Sequence, residues 1–154
     1  MQTAGGAGDR ISLELLEHDG LMTPVLISKF GPLFALQISG VQSDQSFLRQ
    51  SAIFQRSSGE KILDGSLEIS LAALPVGFLS RLTAGDVLFG QLLQDFSIAV
   101  SISDRSIYRI EQSGDQDVRL GRRLSMHRLD SGAFLCRVNE LLVPNRVLQR
   151  HRLA

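Results

Sequence analysis

The stretch "GRRLSMHRLDSGAFLCRVNELLVP", residues 121–144, decides the fold because it has the pattern of two strands joined by a tight turn. Alternate residues of a strand share one face of a sheet. On that count Arg122 lies among apolar neighbours in the first strand, and Glu140 lies among apolar neighbours in the returning strand. The pattern therefore predicts that two charged side chains point toward the interior.

The turn between the two strands predicts whether these charges meet. Residues 130–132, Asp-Ser-Gly, are typical of a three-residue hairpin loop whose glycine takes the left-handed conformation. Such a loop pairs Leu129 with Ala133, and the same register sets Arg122 directly opposite Glu140. A two-residue loop would turn the two faces away from each other, so the inference depends on the turn.

An inward pair of charges has a structural and a functional interpretation. An isolated charge in an apolar interior costs several kcal/mol, so Arg122 and Glu140 must be bonded to each other and to further groups. They form either a structural salt bridge or the floor of a pocket. In a pocket, Arg122 would bind a carboxylate through its planar fork, and Glu140 would handle a proton or a hydroxyl group.

Composition restricts the partners that we expect. The chain has 154 residues, enough for one domain with a real core. Its 16 basic and 16 acidic residues cancel, which argues against nucleic acid or an anionic membrane as a partner. The single cysteine, Cys136, cannot form an internal disulfide, and no Cys/His cluster has metal-site spacing. We expect a cytoplasmic protein with a small-molecule ligand and no metal.

The chain reads as one domain, residues 11–154, after a flexible N-terminal tail, residues 1–10. The tail lacks the basic start and apolar run of a secretory signal, and we expect no DNA-binding domain within residues 1–10. The most apolar stretch, residues 21–38, is interrupted by proline, lysine and glycine, so we expect no membrane span.

The remaining segments predict an α+β fold in which helices pack on a single antiparallel sheet. The turn-forming group Ser-Ser-Gly-Glu at 57–60 lies between two β-like runs and predicts a hairpin in the middle of the chain. In chain order we predict a helix over 10–17, a helix over 22–30 with Thr23 as a candidate cap, a buried strand over 33–40, a hairpin over 47–56 and 61–71, a short helical or irregular crossover over 71–82, a helix over 84–96 capped by Asp86, a strand over 97–112, the hairpin at 119–142 and an exposed C-terminal tail.

Several motifs resemble the chorismate lyase family, which removes pyruvate from chorismate to leave 4-hydroxybenzoate, a quinone precursor. "VRLGRRLSMHRLDSGAFLCRVNELLVP" at 118–144 is similar to the C-terminal hairpin of that family. "LLEHDGLMTPVL" at 15–26 is similar to its early helix-turn-helix, "ILDGSLEISLAAL" at 62–74 to the strand after its middle hairpin, and "DVLFGQLL" at 86–93 to the helix that follows. The resemblance covers most of residues 11–144.

The resemblance implies a sheet and helical flaps that enclose a small pocket, and a reaction without metal or organic cofactor. Glu140 matches the family's glutamate, which transfers a proton at the oxygen end of the substrate. The Gly-Arg-Arg element matches Arg122 and Arg123, which implies carboxylate binding, and the face count selects Arg122 as the inward arginine. Met22 matches a residue that contacts the ligand through its backbone.

The chain also departs from the family pattern at arginine positions. Where the family's first central strand carries a second ligand-binding arginine, this chain offers Gln37 or Ser39, and Ser66 stands where Gly-Arg is common. Loss of one carboxylate contact costs about 10- to 100-fold in binding. Arg49 or Arg56 of the neighbouring hairpin could substitute, but the sequence does not place them.

Three interpretations follow. The resemblance favours a cofactor-independent lyase that converts chorismate to 4-hydroxybenzoate and pyruvate. The alternative is a non-catalytic module on the same fold that holds a small carboxylate, similar to the effector domains of certain transcription regulators. In the third, the pocket has closed and the charged pair is purely structural. Oligomeric state does not follow from the sequence.

Overall fold

The computed structural model describes residues 10–84, 87–111 and 118–153. Within them, six strands form one antiparallel sheet accompanied by five α-helices, so the predicted α+β class is confirmed. The elements are α1 (Arg10–Leu16), α2 (Met22–Phe30), β1 (Leu33–Gln42), β2 (Ser46–Gln55), β3 (Lys61–Ser70), a 3₁₀ turn (Leu71–Ala73), α3 (Phe78–Thr83), α4 (Phe89–Asp95), β4 (Val100–Ile110), β5 (Arg119–Arg128), β6 (Phe134–Leu142) and α5 (Asn145–His151).

The sheet consists of two three-stranded meanders joined at its centre. The strand order is β1-β2-β3-β6-β5-β4, so β3 pairs with β6, and β1 and β4 form the two edges. The α3 and α4 helices lie in the connection from the first meander to the second. The two predicted hairpins are therefore the central pieces of the sheet.

The helices bury one face of the sheet in two hydrophobic clusters. Both clusters draw on alternate, inward residues of the strands, as a half-covered antiparallel sheet requires. The first cluster lies under α3 and α4 and includes Phe47, Leu67, Phe78, Leu92, Leu124 and Val138. The second lies under α1, α2 and α5 and includes Leu15, Leu26, Leu63, Leu120, Leu142 and Leu148.

The register of the β5–β6 hairpin confirms the predicted meeting of charges. Arg122 lies directly opposite Glu140, with Leu124 opposite Val138 in the next row. Gly132 has a φ of 75°, the left-handed conformation expected of the turn.

The predicted pairing next to this turn is wrong. The register shifts between Met126 and His127, and the Arg128 N–H donates to the Ala133 carbonyl at 2.8 Å. The loop therefore has four residues, 129–132, rather than three. The bulge compensates for the extra residue, so the inward faces of the two strands still coincide.

The strand predicted as buried, 33–40, is instead the edge strand β1. Its first half contributes Leu33 and Ala35 to the interior, while residues 38–42 are all exposed. The apolar composition correctly indicated a strand. An edge strand has a neighbouring strand on one side only, and the outer half of β1 is exposed.

The helix over 22–30 has its predicted bounds, but its cap and the start of the helix predicted over 84–96 differ from the predictions. The α2 helix has Leu21 at its N-cap with no side-chain cap, so Thr23 does not cap it. The predicted helix over 84–96 begins at Phe89, and its predicted cap, Asp86, lies outside the described residues. Residues 1–9 of the predicted tail also lie outside them, and Arg10 already belongs to α1.

The C-terminal segment is not an exposed tail. It forms α5, whose Leu148 is fully buried, and the Gln55 Nε2 donates to the His151 carbonyl at 2.8 Å. The apolar spacing within a basic segment fixes this helix against the second cluster.

Among the described helices, none is long and apolar enough to cross a membrane.

Candidate functional site

A polar row crosses the covered face of the sheet between the two hydrophobic clusters. Register places Ser51 of β2, Gly65 of β3, Glu140 of β6 and Arg122 of β5 side by side. Sheet pairing alone therefore brings these groups together from four strands. Because they lie between two apolar clusters, their charges are held away from bulk water.

Arg122 is fully buried, and its guanidinium donates to three acceptors of the protein. Its Nε donates to Glu140 Oε1 at 2.9 Å, Nη1 donates to the His18 carbonyl at 2.8 Å, and Nη2 donates to the Gly20 carbonyl at 3.1 Å. These bonds connect the α1–α2 loop to the centre of the sheet. Arg122 therefore positions Glu140 and this loop.

The His18 side chain supports the same loop without adding charge. Burial, and next the positive charge of Arg122, lower the pKa of His18, which favours the neutral ring. Its Nδ1 accepts a hydrogen bond from the Gly20 N–H at 3.1 Å. In this loop Arg122 therefore contacts two carbonyl oxygens, and the neutral His18 ring adds no second positive charge.

Glu140 is the acid in this row and is 9% exposed. Burial raises the pKa of Glu140, and the neighbouring Arg122 guanidinium offsets part of that increase. Among the described residues, Arg122 is the one group that hydrogen-bonds to this carboxyl. Glu140 can therefore accept a hydrogen bond from a ligand or exchange a proton with it.

A cavity of about 60 Å³ lies over Glu140, between the sheet and the first turns of two helices. Met22 and Thr23 of α2 and Gly90 of α4 line its helical side. A Cβ atom placed on Gly90 would lie 2.5 Å from Thr23 Oγ1, so the close approach of the two helices requires glycine there. This volume accommodates only a small ligand, and a larger one would require α2 or α4 to move.

Arg49 lines the same cavity and has no acidic partner among the described residues. It is 2% exposed, its Nη2 donates to the Val87 carbonyl at 2.9 Å, and its Nε donates to Gln37 Oε1 at 3.3 Å. Burial lowers the pKa of Arg49, but an arginine remains charged in a protein. Among the described residues, therefore, no carboxylate balances the charge of the buried Arg49.

The electrostatics of the site favour an anion. The buried charged side chains of the described chain are Arg49, Arg122 and Glu140, which leaves one net positive charge. Arg49 and Glu140 lie on strands separated by β3, roughly 10 Å apart across the sheet. A small ligand between them would meet a cation at one end and a hydrogen-bond acceptor at the other.

The structure separates the residues that the sequence singled out. Glu140 and Met22 line the cavity, Arg122 lies behind Glu140, and Gln37 supports Arg49. Arg123 lies on the opposite face of the sheet, where its guanidinium lies 4.1 Å from the centre of the Tyr108 ring. Arg123 therefore does not reach this cavity.

Arg49 is the functional candidate that the sequence did not place. Its signal was the alternation of Phe47, Arg49 and Ser51, which puts all three on one face of β2. The corresponding alternative, Arg56, is exposed and lies 5.2 Å from the centre of the Phe34 ring. Of the two substitutes considered for the missing arginine, only Arg49 lies in the cavity wall.

No family model and no curated protein matches this sequence. Similar solved structures include PhnF from Mycobacterium smegmatis, with a TM-score of 0.57, 8% identity and coverage of 74% of this chain and 59% of that one. The effector domain of PhnF gives 0.57, 7% identity and coverage of 75% and 83%. A GntR-family transcriptional regulator from Bacillus cereus gives 0.51, 10% identity and coverage of 73% and 92%.

These similarities show the fold. The chain shares the chorismate lyase-like α+β fold of GntR-family effector domains, and it spans less than two thirds of the PhnF chain. Because the similar structures are transcription regulators, they give no support to the expectation that nucleic acid is not a partner.

Proposed function

We propose that this chain is a non-catalytic module that binds a small organic anion, with a carboxylate bound at Arg49. The observation that carries the proposal is the burial of the Arg49 guanidinium in the cavity wall without an acidic partner among the described residues. A buried charge without a counter-ion is costly, and an anionic ligand would offset that cost.

The other groups fit the same ligand. Gln37 and the Val87 carbonyl hold the Arg49 side chain in place, so that its remaining N–H donors are available to a carboxylate. Glu140 would accept a hydrogen bond from a hydroxyl or amino group of the ligand, and Met22 would contact it from α2. The similarity to effector domains of regulators supports binding without chemistry.

A second candidate is the lyase that converts chorismate to 4-hydroxybenzoate and pyruvate. Glu140 favours it, because a buried carboxyl with a raised pKa beside a substrate cavity is suited to proton transfer. In this case Arg49 would hold a substrate carboxylate, and Arg122 would keep Glu140 in position. The 60 Å³ cavity would have to open for chorismate.

Calorimetric titration of the purified chain with 4-hydroxybenzoate and other small carboxylates tests the proposal. Arg49→Met should weaken carboxylate binding by about 10- to 100-fold, because it removes charged hydrogen bonds to the ligand. The matched control is Arg137→Met, since the Arg137 side chain is 68% exposed on the open face. Equal affinity in wild type and Arg49→Met would contradict the proposal.

Incubation with chorismate separates the two candidates. Release of equimolar pyruvate and 4-hydroxybenzoate, abolished by Glu140→Gln in a protein that still binds 4-hydroxybenzoate, would establish the lyase. Binding without turnover would support the module. Binding of 4-hydroxybenzoate and release of pyruvate are measured on the same preparation, so that loss of binding is distinguished from loss of the reaction.

A further inference from the structure

A second polar row crosses the face of the sheet opposite the helices. Register sets Gln50 of β2, Ser66 of β3, Asn139 of β6 and Arg123 of β5 side by side. Each of these residues is one position along its strand from the row on the covered face, so its side chain points to the other side. We call these four residues the open-face row. They line a groove of about 330 Å³.

Arg123 is the cation of the open-face row. Its side chain is exposed, and its guanidinium lies 4.1 Å from the centre of the Tyr108 ring. Among the described residues, no acid and no hydrogen-bond acceptor contacts this guanidinium. A ring face holds an arginine in place without using its N–H donors. These donors therefore remain available to a ligand in the groove.

The described acids beside the open-face row are bound to other cations. Asp64 lines the groove, and its Oδ2 accepts a hydrogen bond from Arg119 Nη2 at 2.7 Å. Glu68 lies farther along the same strand, and its Oε1 is 3.6 Å from Arg137 Nη1. The described part of the face therefore supplies no counter-charge to Arg123.

Tyr108 also orients Asn139, the neighbour of Arg123 in the row. The Tyr108 ring crosses β5 at Gly121, where a Cβ atom would overlap it, so this crossing requires glycine. The Tyr108 hydroxyl donates to Asn139 Oδ1. This bond fixes the amide, and no described residue accepts a hydrogen bond from Asn139 Nδ2. Arg123 and Asn139 therefore present N–H donors side by side.

We propose that the open-face row is a second ligand site, and that it binds a small molecule through an oxyanion group, either a phosphate or a carboxylate. The oxyanion accepts hydrogen bonds from Arg123 and Asn139, which lie on adjacent strands about 5 Å apart. Leu141 and Ile110 line the same groove and contact an apolar part of the ligand. A cation would be repelled by Arg123, and a ligand with donors alone would find no partner in these two side chains.

This site is independent of the anion site at Arg49. Arg49 does not line the groove, and Arg123 does not line the cavity over Glu140. Either site can therefore fail while the other binds its ligand.

An NMR titration of the full chain with phenyl phosphate and with benzoate tests the proposal. In wild type, the side-chain N–H signals of Arg123 and Asn139 should shift with a Kd of about 1 mM or lower. Arg123→Met should weaken the binding observed at Asn139 by at least about 10-fold, because it removes charged hydrogen bonds. Asn139→Asp should weaken the binding observed at Arg123 as much, because the new carboxylate competes with the ligand for this guanidinium.

The matched control is Arg56→Met. Arg56 is also an exposed arginine over an aromatic ring, 5.2 Å from the centre of the Phe34 ring, but it does not line the groove. This variant should bind both probes as wild type does. Arg123→Met should also keep the calorimetric affinity for 4-hydroxybenzoate, which reports the anion site. The probe that binds more tightly identifies the oxyanion, and either result supports the site.

Three results would overturn the proposal. The first is that neither probe shifts the Arg123 and Asn139 signals at about 10 mM. The second is an equal loss of affinity in Arg56→Met and Arg123→Met, which would mean that positive charge alone attracts the probes. The third is wild-type affinity in Asn139→Asp. Circular dichroism establishes that each variant is folded, and if Asn139→Asp does not fold, Arg123→Met and its control decide the test.

Discussion

Arg122 and Arg49 are both buried on the covered face of the sheet, yet they have opposite surroundings. Arg122 bonds to the Glu140 carboxylate and to two carbonyls of the α1–α2 loop. Arg49 bonds to one amide oxygen and one carbonyl and lacks an acidic partner in the described chain. Burial of an arginine therefore does not by itself indicate function; what distinguishes Arg49 is that no acid of the described chain balances its charge.

The comparison also separates stability from binding. A buried ion pair with good hydrogen bonds roughly offsets its own desolvation, so Arg122 suits a structural role. Arg49 retains its desolvation penalty in the unliganded protein. Residues that weaken the folded state are expected where a ligand compensates for them.

The largest expected effect follows from replacing each arginine by a side chain of similar length. Arg122→Met should lower the free energy of unfolding by about 3–5 kcal/mol, because it leaves the Glu140 charge buried and unpaired. Arg49→Met should leave it nearly unchanged or raise it, because no partner is left behind with a charge. Urea unfolding of both variants measures the difference.

The double variant Arg122→Met/Glu140→Leu controls for packing. Removing both charges should recover most of the lost stability, since a buried pair replaced by apolar residues is often neutral. An equal loss of stability in the two single variants would mean that Arg49 is a structural residue, and it would remove the basis of the anion site.

The sequence sufficed for Arg122 because its partner lies on the same hairpin. Strand alternation and a recognisable turn set Arg122 against Glu140 with no knowledge of the rest of the sheet. The register was correct although the turn was not: the loop has one more residue than predicted, and the bulge at Met126/His127 compensates. The local pattern was enough to predict this pairing because both strands bury their apolar residues on the same face of the sheet.

The surroundings of Arg49 could not be predicted from residues near it in the sequence. Its environment depends on the pairing of β3, which ends at Ser70, with β6, which begins only at Phe134, and on Val87 just before α4. The cavity depends on two helices that meet through Thr23 and Gly90. Alternation along β2 indicates that Arg49 points inward, but only the tertiary structure shows that no acid in the described part of the chain contacts it.

The close contact between Gly90 of α4 and Thr23 of α2 lies just after Val87 in the chain. Gly90→Ala should lower the free energy of unfolding by about 1–3 kcal/mol, because the new methyl group would overlap Thr23. Gly65→Ala is the matched control on the floor of the cavity, where a Cβ would lie at an ordinary 3.6 Å from Ser51 Oγ. Thermal unfolding compares the two.

The addition of Thr23→Ala tests the cause. It should restore part of the stability lost in Gly90→Ala, because it removes the hydroxyl nearest to the added methyl group. If Gly90→Ala is as stable as wild type, α4 can move away from α2 without cost, and the cavity is not fixed by this contact.

The smallest expected effect is the pH dependence that Glu140 gives to stability. Because its pKa is raised in the folded state, the folded protein holds this proton more tightly than the unfolded chain. Stability should therefore fall as pH rises from the ordinary glutamate pKa to the raised one, and the loss should be complete above it. Urea midpoints of wild type and Glu140→Gln from about pH 5 to about pH 8 isolate this contribution.

The same titration distinguishes the two arginines. The positive charge of Arg122 holds the pKa of Glu140 below the value that burial alone would produce. In Arg122→Met the pKa of Glu140 should rise further, so the loss of stability should extend to higher pH. Arg49 is not among the groups that shift Glu140, so Arg49→Met should retain the wild-type profile. Identical pH profiles in both arginine variants would show that Arg122 does not lower the pKa of Glu140.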